Sequence, residues 1–431
     1  MKWKRLKPRA SFSQKVLHQN NKLRLKGKNM QVKTNFKNRM IQNKNGVIGP
    51  VEPRNPNVKV KTFGDYPSVP RSYLEVAENY GPDLSGPQLC DELVALICHM
   101  FTEDEADIIR HLKSGEYKTA AELAEKAHRP KEEVRAILDV LAREKYIIMS
   151  AGRPPQTRFF LIPIVPGAFA TILVRTSMDT LTEWHKKFAL LYKELYDTGF
   201  SALKAKVTQP GIRYLPVGES IENVQYALPY DYFAEYIDRF DDFAVALCQC
   251  RMVEEIAGQG CGRPMENCTS MGKSALMMAK QGRGRLVEKQ ELLEIKKEAE
   301  ASGLVTWAML LEREGNSTSC SCCGCCCGMM RSISEFNMPG RIAPPHFLPE
   351  CDLDKCSYCG KCALGCPMGA ITIDTKNKTR GFAAERCIGC GLCLVQCKKE
   401  QALTLKPVPG FEIPEVKIRK RGGFLSGLSG E

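Results

Sequence analysis

The sequence predicts a multidomain α+β protein with three folded parts between two tails. Three observations lead to this prediction. Residues 85–168 combine helical spacing of apolar residues with two short strand-like runs; residues 175–335 hold ten of the 21 cysteines among further helices and strands; and residues 340–407 carry two evenly spaced cysteine runs. A chain of 431 residues with 43% hydrophobic composition is long enough for two to four domains, each with its own core.

Residues 1–69 are predicted to form a basic, disordered tail. Residues 1–62 hold 17 of the 62 Lys and Arg residues but only one of the 49 acidic residues, Glu52. With few periodic apolar residues, this segment cannot bury enough surface to fold alone. The alternatives are an arm that contacts acidic surfaces or nucleic acid, and a true start at Met30 or Met40. The net charge of +13 therefore belongs to the tail, because the remaining residues are close to neutral.

The cysteine usage predicts a reducing, cytoplasmic location. The chain is long, no apolar signal segment follows its basic start, and most of its cysteines are grouped in metal-ligand spacings. The longest apolar run, residues 159–174, is interrupted by Pro163, Pro166 and Gly167 and is shorter than a membrane-spanning helix requires. We therefore predict no membrane span. At the other end, residues 408–431 are predicted to be a flexible tail.

Within the first folded part, residues 85–168, the stretch 103–164 contains three predicted helices followed by two predicted strands. In order, these are residues 103–112, 119–127 and 131–144 for the helices, then 146–149 and 158–164 for the strands. This order resembles a winged helix-turn-helix domain, and the resemblance implies a third helix that could enter the major groove of DNA. Residues 131–145, however, hold four basic and four acidic side chains, a poor match for phosphate. Protein docking or a structural role is favoured over DNA binding.

Ten cysteines of the middle part are candidate metal ligands. Four of them offer enough thiolates for one tetrahedral zinc ion or one 4Fe-4S cluster: Cys248, Cys250, Cys261 and Cys268. Six more lie within eight residues: Cys320, Cys322, Cys323, Cys325, Cys326 and Cys327. Adjacent side chains diverge on an ordinary backbone, so these six are not expected to bind a single metal. We predict one or two further iron-sulfur clusters or zinc in this part, with partly free redox thiols as the other alternative.

The last folded part carries the most specific pattern, C-x2-C-x2-C-x3-C repeated twice. The two runs are Cys356, Cys359, Cys362 and Cys366, followed by Cys387, Cys390, Cys393 and Cys397. Three thiolates on a tight loop can hold three irons of one cubane, but they cannot easily reach the fourth iron. Two structural zinc sites are the alternative, although zinc rarely needs this spacing twice. Cys351 fits neither run and is interpreted as a spare thiol.

The repeated pattern resembles the bacterial ferredoxins that carry two 4Fe-4S clusters. The resemblance implies a βαβ-repeat fold in which the last cysteine of each run binds the other cluster. One cluster would then be held by Cys356, Cys359, Cys362 and Cys397, and the other by Cys387, Cys390, Cys393 and Cys366.

A wider region, residues 100–407, resembles anaerobic ferredoxin-type proteins with a winged-helix-like region. The resemblance rests on Pro166-Gly167-Ala168-Phe169, on Cys248-x-Cys250-Arg251, on the dense cysteine run and on the two-cluster tail. It implies cluster binding and anaerobic redox chemistry without indicating a substrate. The Cys322-Cys323-Gly324 triplet also resembles the CCG motif of heterodisulfide reductases.

These patterns predict an iron-sulfur electron-transfer protein or redox subunit. It would pass single electrons through 4Fe-4S clusters to or from a partner oxidoreductase in anaerobic metabolism. Two alternatives are an iron-sulfur redox-sensing transcriptional regulator that uses the winged helix, and a small-substrate reductase that uses the middle cysteines. No catalytic residue is predicted, and a component of an oxidoreductase is favoured over a stand-alone enzyme.

Overall fold

The computed structural model describes residues 36–419 apart from 204–210, 223, 226, 228–230, 314, 339–341 and 416. The predictions for residues 1–35 and 420–431 therefore lie outside the described residues. The described residues belong to one compact unit. None of their helices is both long enough and apolar enough to cross a membrane.

The helices are numbered here in chain order. They are α1 (Arg71–Asn79), α2 (Asp91–Met100), α3 (Glu103–Ile109), α4 (Ala120–Ala127), α5 (Lys131–Arg143), α6 (Phe169–Leu173), α7 (Glu183–Asp197), α8 (Gly218–Ile221), α9 (Phe233–Ile237), α10 (Gln249–Ile256), α11 (Lys273–Lys280), α12 (Lys289–Ala301), α13 (Gly328–Ser334), α14 (Lys361–Leu364) and α15 (Leu392–Gln396).

The strands are numbered in the same way. They are β1 (Ile41–Lys44), β2 (Val47–Pro50), β3 (Lys118–Thr119), β4 (Ile148–Ala151), β5 (Arg158–Leu161), β6 (Ile212–Tyr214), β7 (Phe243–Leu247), β8 (Glu266–Gly272), β9 (Arg285–Val287), β10 (Val305–Met309), β11 (Leu311–Arg313), β12 (Asn316–Ser319), β13 (Ser321–Cys322), β14 (Phe347–Cys351), β15 (Ile371–Asp374), β16 (Thr379–Phe382), β17 (Leu403–Pro407) and β18 (Lys417–Arg419).

The segment 36–69 is ordered against the folded parts, so its assignment to a disordered tail was wrong. Strands β1 and β2 form an antiparallel hairpin, and β2 continues the sheet of the C-terminal part by pairing with β15. Ile48 on β2 is 5% exposed and packs in the core of that sheet. Local composition does not reveal this, because the strand is short and its partner lies more than 300 residues away.

The first folded part is a helical layer around a small sheet. Thr102 and Thr119 cap α3 and α4 with side-chain oxygens, and each cap is completed by a Glu three residues later, at Glu105 and Glu122. Helices α3, α4 and α5 are followed by the β4–β5 hairpin, and β3 extends this sheet in the order β3-β5-β4.

The core of this part does not end at the expected boundary near residue 168. It continues through α7 as far as Phe200 and takes Met252 and Val253 from α10. The amphipathic α7 packs against α2 within this core. The first part and the cysteine-rich part therefore share buried surface.

The middle part contains a six-stranded sheet, in the order β18-β11-β12-β8-β7-β9, and a three-stranded sheet, β13-β10-β6. Strand β18 pairs in parallel with β11. Residues 417–419 are therefore part of this sheet, and their assignment to a flexible C-terminal tail was wrong. Backbone hydrogen bonds to β11 hold residues 417–419 in place, and composition does not predict such pairing.

A buried ion-pair network joins three helices next to the cysteines of the middle part. The guanidinium group of Arg331 on α13 pairs with Asp197 on α7, Glu254 on α10 and Glu335. A buried cation of this kind holds its partners in one geometry, because loss of any carboxylate would leave a buried charge uncompensated.

The C-terminal part consists of two strand pairs, β14–β17 and β15–β16, and of one short helix within each cysteine run. Both helices start after a glycine in the left-handed region, Gly360 with φ +77° and Gly391 with φ +72°. Each glycine also allows a close approach. A Cβ atom on Gly360 would lie 2.3 Å from Ile48 Cδ1, and one on Gly391 would lie 2.1 Å from Ser220 Oγ.

Candidate metal centres

One cavity of the C-terminal part is bounded by cysteines from both runs. Its lining includes Cys356, Cys359 and Cys362 from the first run and Cys397 from the end of the second run. The antiparallel pairing of β14 with β17 and the contact between α14 and α15 bring the two runs together. The structure thus places around one cavity the four cysteines that the ferredoxin resemblance assigns to one cluster.

Arg380 supplies an independent test of whether an anionic cluster fits this cavity. Its side chain lines the same cavity, and its Nε and Nη2 atoms are buried without a hydrogen-bond partner. Burial raises the pKa of Cys362 to about 11, and the positive charge of Arg380 opposes that rise. Four thiols beside a partly buried cation with two unsatisfied nitrogen atoms fit a 4Fe-4S cluster, whose sulfides would accept the hydrogen bonds that Arg380 lacks.

Cys351 also lines this cavity, and sequence reasoning missed its position. Its thiol is in hydrogen-bond contact with Cys356. The last pair of the β14–β17 ladder, Cys351 with Leu403, places the thiol there. To locate Cys351 from the sequence, one would have had to identify β14 as the partner strand of β17.

The second set assigned by the resemblance is Cys387, Cys390, Cys393 and Cys366. Burial raises the pKa of Cys387 to about 12 and also raises the pKa values of Cys390 and Cys393, and the charge of Cys366 raises each of the three further. The backbone N–H of Ala370 donates to Cys366 Sγ at 3.3 Å, and that of Gly389 donates to Cys387 Sγ at 3.4 Å. Such N–H···S bonds orient cluster ligands and tune reduction potential.

The ten middle cysteines divide into two groups in space. The first, called here the four-thiol group, consists of Cys261, Cys323, Cys325 and Cys326, whose sulfurs all lie within 4.8 Å of one another. Hydrogen bonds from the other three thiols lower the pKa of Cys323 well below its ordinary value. At Cys261 the hydrogen bond with Cys323 raises the pKa, but those with Cys325 and Cys326 outweigh it and the pKa falls to about 6.

The second, called here the six-thiol group, contains the remaining cysteines. In order of contact these are Cys248, Cys250, Cys327, Cys322, Cys320 and Cys268, each in hydrogen-bond contact with the next. The Sγ atoms of Cys268 and Cys320 are 3.8 Å apart. The charge of Cys248 also raises the pKa of Cys268. Six thiols exceed the four ligands of one cubane.

This division differs from the sets that spacing suggested. Cys261 does not join Cys248, Cys250 and Cys268, although the four are neighbours in sequence. The crowded run also splits, because Cys322 and Cys323 on successive residues enter different groups. Alternation of side chains at the end of β13 is the physical reason.

Buried cations adjoin the six-thiol group. Arg251 donates to the carbonyl oxygen of Ser321 at 3.0 Å and to Asn267 Oδ1 at 2.5 Å. Lys296 Nζ donates to the carbonyl oxygen of Asn267 at 3.2 Å. Burial lowers the pKa of Lys296 to about 8, although the nearby thiols, first Cys320, act to raise it. These charges offset the negative charge that thiolate ligands bring to a buried site.

The six-thiol group adjoins the second ferredoxin quartet. Cys322 and Cys327 share one hydrophobic core with Cys366 and Cys390. The backbone N–H of Val217 donates to the carbonyl oxygen of Cys390 at 2.9 Å, which ties β6 and its neighbours to the cysteine loop. The second quartet is therefore the side of the C-terminal part that faces the middle cysteines.

Comparison with known proteins confirms the nature of the C-terminal part. Residues 355–401 match the family model of the 4Fe-4S dicluster domain. Over 51 residues the chain is 39% identical to pyruvate synthase subunit PorD of Methanothermobacter marburgensis, an alignment that covers 12% of this chain and 57% of PorD. The chain thus spans little more than half the length of this relative. No solved structure matches the chain. The match establishes a domain for 4Fe-4S cluster binding at the C-terminal end.

Proposed function

We propose that this protein is an iron-sulfur electron-transfer subunit of an oxidoreductase complex. The observation that carries the proposal is the single hydrophobic core shared by Cys366 and Cys390 of the ferredoxin part and Cys322 and Cys327 of the six-thiol group. A relay needs redox centres packed against one another, and this core supplies that proximity. PorD, to which the chain is similar over 51 residues, is a subunit of pyruvate synthase, and this supports a subunit role here.

In this proposal the eight ferredoxin cysteines hold two 4Fe-4S clusters with crossed ligands, and the six-thiol group holds a further iron-sulfur centre. Such clusters supply one-electron chemistry over a wide range of potentials. The chain contributes the buried thiols, the N–H donors of Ala370 and Gly389, and the cations Arg380, Arg251 and Lys296, which set the charge balance.

The exposed end of the route lies at the first quartet. Cys359 is exposed, and two exposed apolar side chains lie in the same run of chain, Leu353 at 57% and Leu364 at 52%. The ferredoxin part carries nine basic and six acidic residues between 350 and 407, and two oxidised clusters would add a charge of about −4. A nearly neutral, partly apolar surface favours a fixed complex over a steered shuttle. The partner oxidoreductase therefore docks here.

The helices α3–α5 with the sheet β3-β5-β4 support the interpretation of a winged helix, used for structure or protein docking. Several of its cations are paired with acids. Arg129 pairs with Asp104 and Glu133, and Arg135 and Arg143 pair with Asp139. We therefore do not extend the proposal to DNA binding or to a redox-sensing regulator.

A small-substrate reductase at the Cys322-Cys323 pair is also less well supported than a relay. These thiols are 3% and 2% exposed, and they belong to different groups. A substrate would need both access and a common site. The proposal keeps the expected cytoplasmic, anaerobic setting, in which exposed cluster thiols such as Cys359 stay reduced.

The test is spectroscopy of full-length protein purified without oxygen. Iron and sulfide analysis should give more than about eight irons per chain, which is the number that two cubanes contain. On stepwise reduction, the electron paramagnetic resonance signals of the second ferredoxin cluster and of the middle centre should broaden each other. The reason is that the two centres share one core and would interact magnetically.

Two serine variants locate the interaction. Cys390→Ser should remove the second cluster and with it the broadening of the middle centre. Cys359→Ser, the matched control, alters the first cluster, whose cysteines do not share that core, and should leave the broadening in place. A middle centre whose signal is the same in Cys390→Ser as in the parent protein would refute the relay.

A further inference from the structure

We propose that the four-thiol group binds a single zinc ion, which is structural and lies outside the electron route. The ligands are Cys261, Cys323, Cys325 and Cys326. This site adds a second kind of metal to the protein and does not depend on the proposed relay.

The sulfur spacing matches one ion better than a cluster. Sγ of Cys261 lies 3.9 Å from Sγ of Cys323, and the Sγ atoms of Cys325 and Cys326 lie 3.7 Å apart. Four thiolates about 2.3 Å from one tetrahedral zinc ion lie about 3.8 Å from one another. In a cubane each thiolate binds a different corner iron, so the four sulfurs are spread further apart.

The ferredoxin cysteines provide an internal comparison. Among the residues that the structure describes, neither ferredoxin quartet brings its sulfurs within 4.8 Å of one another as the four-thiol group does. The same chain therefore shows wide thiol spacing where the family match indicates 4Fe-4S clusters, and compact spacing here.

The backbone around the site also favours a small ion. A tight turn closes the loop, since the N–H of Cys327 donates to the carbonyl oxygen of Cys323 at 3.1 Å, and α13 begins directly afterwards. Met40, Ala299 and Leu304 pack against the four thiols in one buried core. A dry site with four protein thiolates and no open position is the form of a structural zinc site.

Nearby groups compensate the charge and show what the ion would hold together. Four thiolates and Zn²⁺ carry a net charge of −2, and Arg263 Nη1 lies 4.0 Å from Cys325 Sγ. The same Nη1 donates to the carbonyl oxygen of Lys37 at 3.1 Å, and Nε donates to that of Ser302 at 3.0 Å. The ion would thus fasten the segment before β1, the end of α12 and the cysteine loop to one another.

The experiment is metal analysis and zinc X-ray absorption on full-length protein purified without oxygen. We expect about one zinc per chain, with four sulfurs at about 2.3 Å and no neighbouring iron. Cys325→Ser should lower the zinc content to well below half while leaving the iron content and the ferredoxin resonance signals unchanged. Cys268→Ser, a matched control in the six-thiol group, should keep the zinc.

Three results would overturn the proposal. The first is a zinc-free parent protein in which Cys325→Ser loses about four irons with their sulfide, which would mean a cubane. The second is a single iron in place of zinc. The third is zinc that survives Cys325→Ser and is lost in Cys268→Ser. Should Cys325→Ser fail to fold, the absorption spectrum of the parent protein still decides. None of these results tests the relay, which the iron signals address separately.

Discussion

Replacing Gly324 with alanine probes the contact between the cysteine-rich loop and the ferredoxin part. Gly324 stands between Cys323 and Cys325, two thiols of the four-thiol group. A Cβ atom there would lie 1.6 Å from the carbonyl oxygen of Pro367 and 2.7 Å from its carbonyl carbon. Pro367 directly follows the cysteine that crosses to the second cluster, Cys366. The substitution therefore pushes one metal-binding loop away from another.

The size of the effect follows from these distances. Ordinary contact begins near 3.4 Å, so the two backbones would have to separate by about 1.8 Å. Neither atom belongs to a flexible side chain that could move aside. We expect a loss of about 2–3 kcal/mol in the free energy of unfolding, toward the upper end for overpacking a core. The greater separation should also weaken the magnetic interaction between the second cluster and the middle centre.

The assay is guanidinium unfolding followed by fluorescence, together with resonance spectra of the reduced protein. Gly381→Ala on β16 is the matched control, because the nearest atom to its new Cβ would be Thr372 Cβ at 3.7 Å. Neither glycine has a left-handed backbone, so strain in φ does not enter the comparison. If Gly324→Ala unfolds at the same guanidinium concentration as Gly381→Ala, the two loops do not touch as described.

Three further predictions rest on other parts of the structure. Removing residues 1–35 should leave cluster stability unchanged. Removing residues 1–53 takes away β1 and β2 and should speed the loss of visible absorbance with a chelator. Equal rates of absorbance loss in the two truncated proteins would contradict the role of the hairpin. Arg380→Met should lower the reduction potential of one ferredoxin cluster by tens of millivolts, on the order expected for a nearby charge, in a redox titration; an unchanged potential would remove Arg380 from the site. The pKa of Glu300 is raised from 4.5 to about 7 by burial. The hydrogen bond from the N–H of Gly218 and the charge of Lys296 lower the pKa, but burial outweighs them. The folded state thus holds this proton more tightly than the unfolded chain, and stability falls as the pH rises from about 4.5 to 7. Glu300→Gln should abolish that fall and add on the order of 2 kcal/mol above pH 7 in urea unfolding; a parallel pH profile would contradict this.

Some features could be predicted because they depend on residues close together in the chain. Val134, Leu138 and Leu141 are spaced for one face of a helix, and all three are buried on α5. The Thr102 and Thr119 caps begin their helices within a residue or two of the predicted starts. A C-x2-C-x2-C triplet restricts its own geometry, since a loop that short leaves few ways to surround a cluster.

Features that depend on distant segments could not be predicted in this way. The hairpin of residues 41–50 has no core of its own, and its partner β15 is found only when the sheet is assembled. Cys351 reaches the first cavity through a strand pairing that ends opposite Leu403. Neither relationship leaves a mark in local composition.

The ten middle cysteines show the same limit most clearly. Their number and residue type were sufficient to predict a metal-binding region, because thiolates crowded at such spacing indicate metal ligation. Only the tertiary structure decided that Cys261 joins the Cys323 side of the loop while Cys248, Cys250 and Cys268 join the Cys322 side. The reason is geometric. Each group is assembled from two separate stretches of the chain, residues 248–268 and residues 320–327, and the side to which a thiol points is set by backbone pairing that sequence spacing does not record.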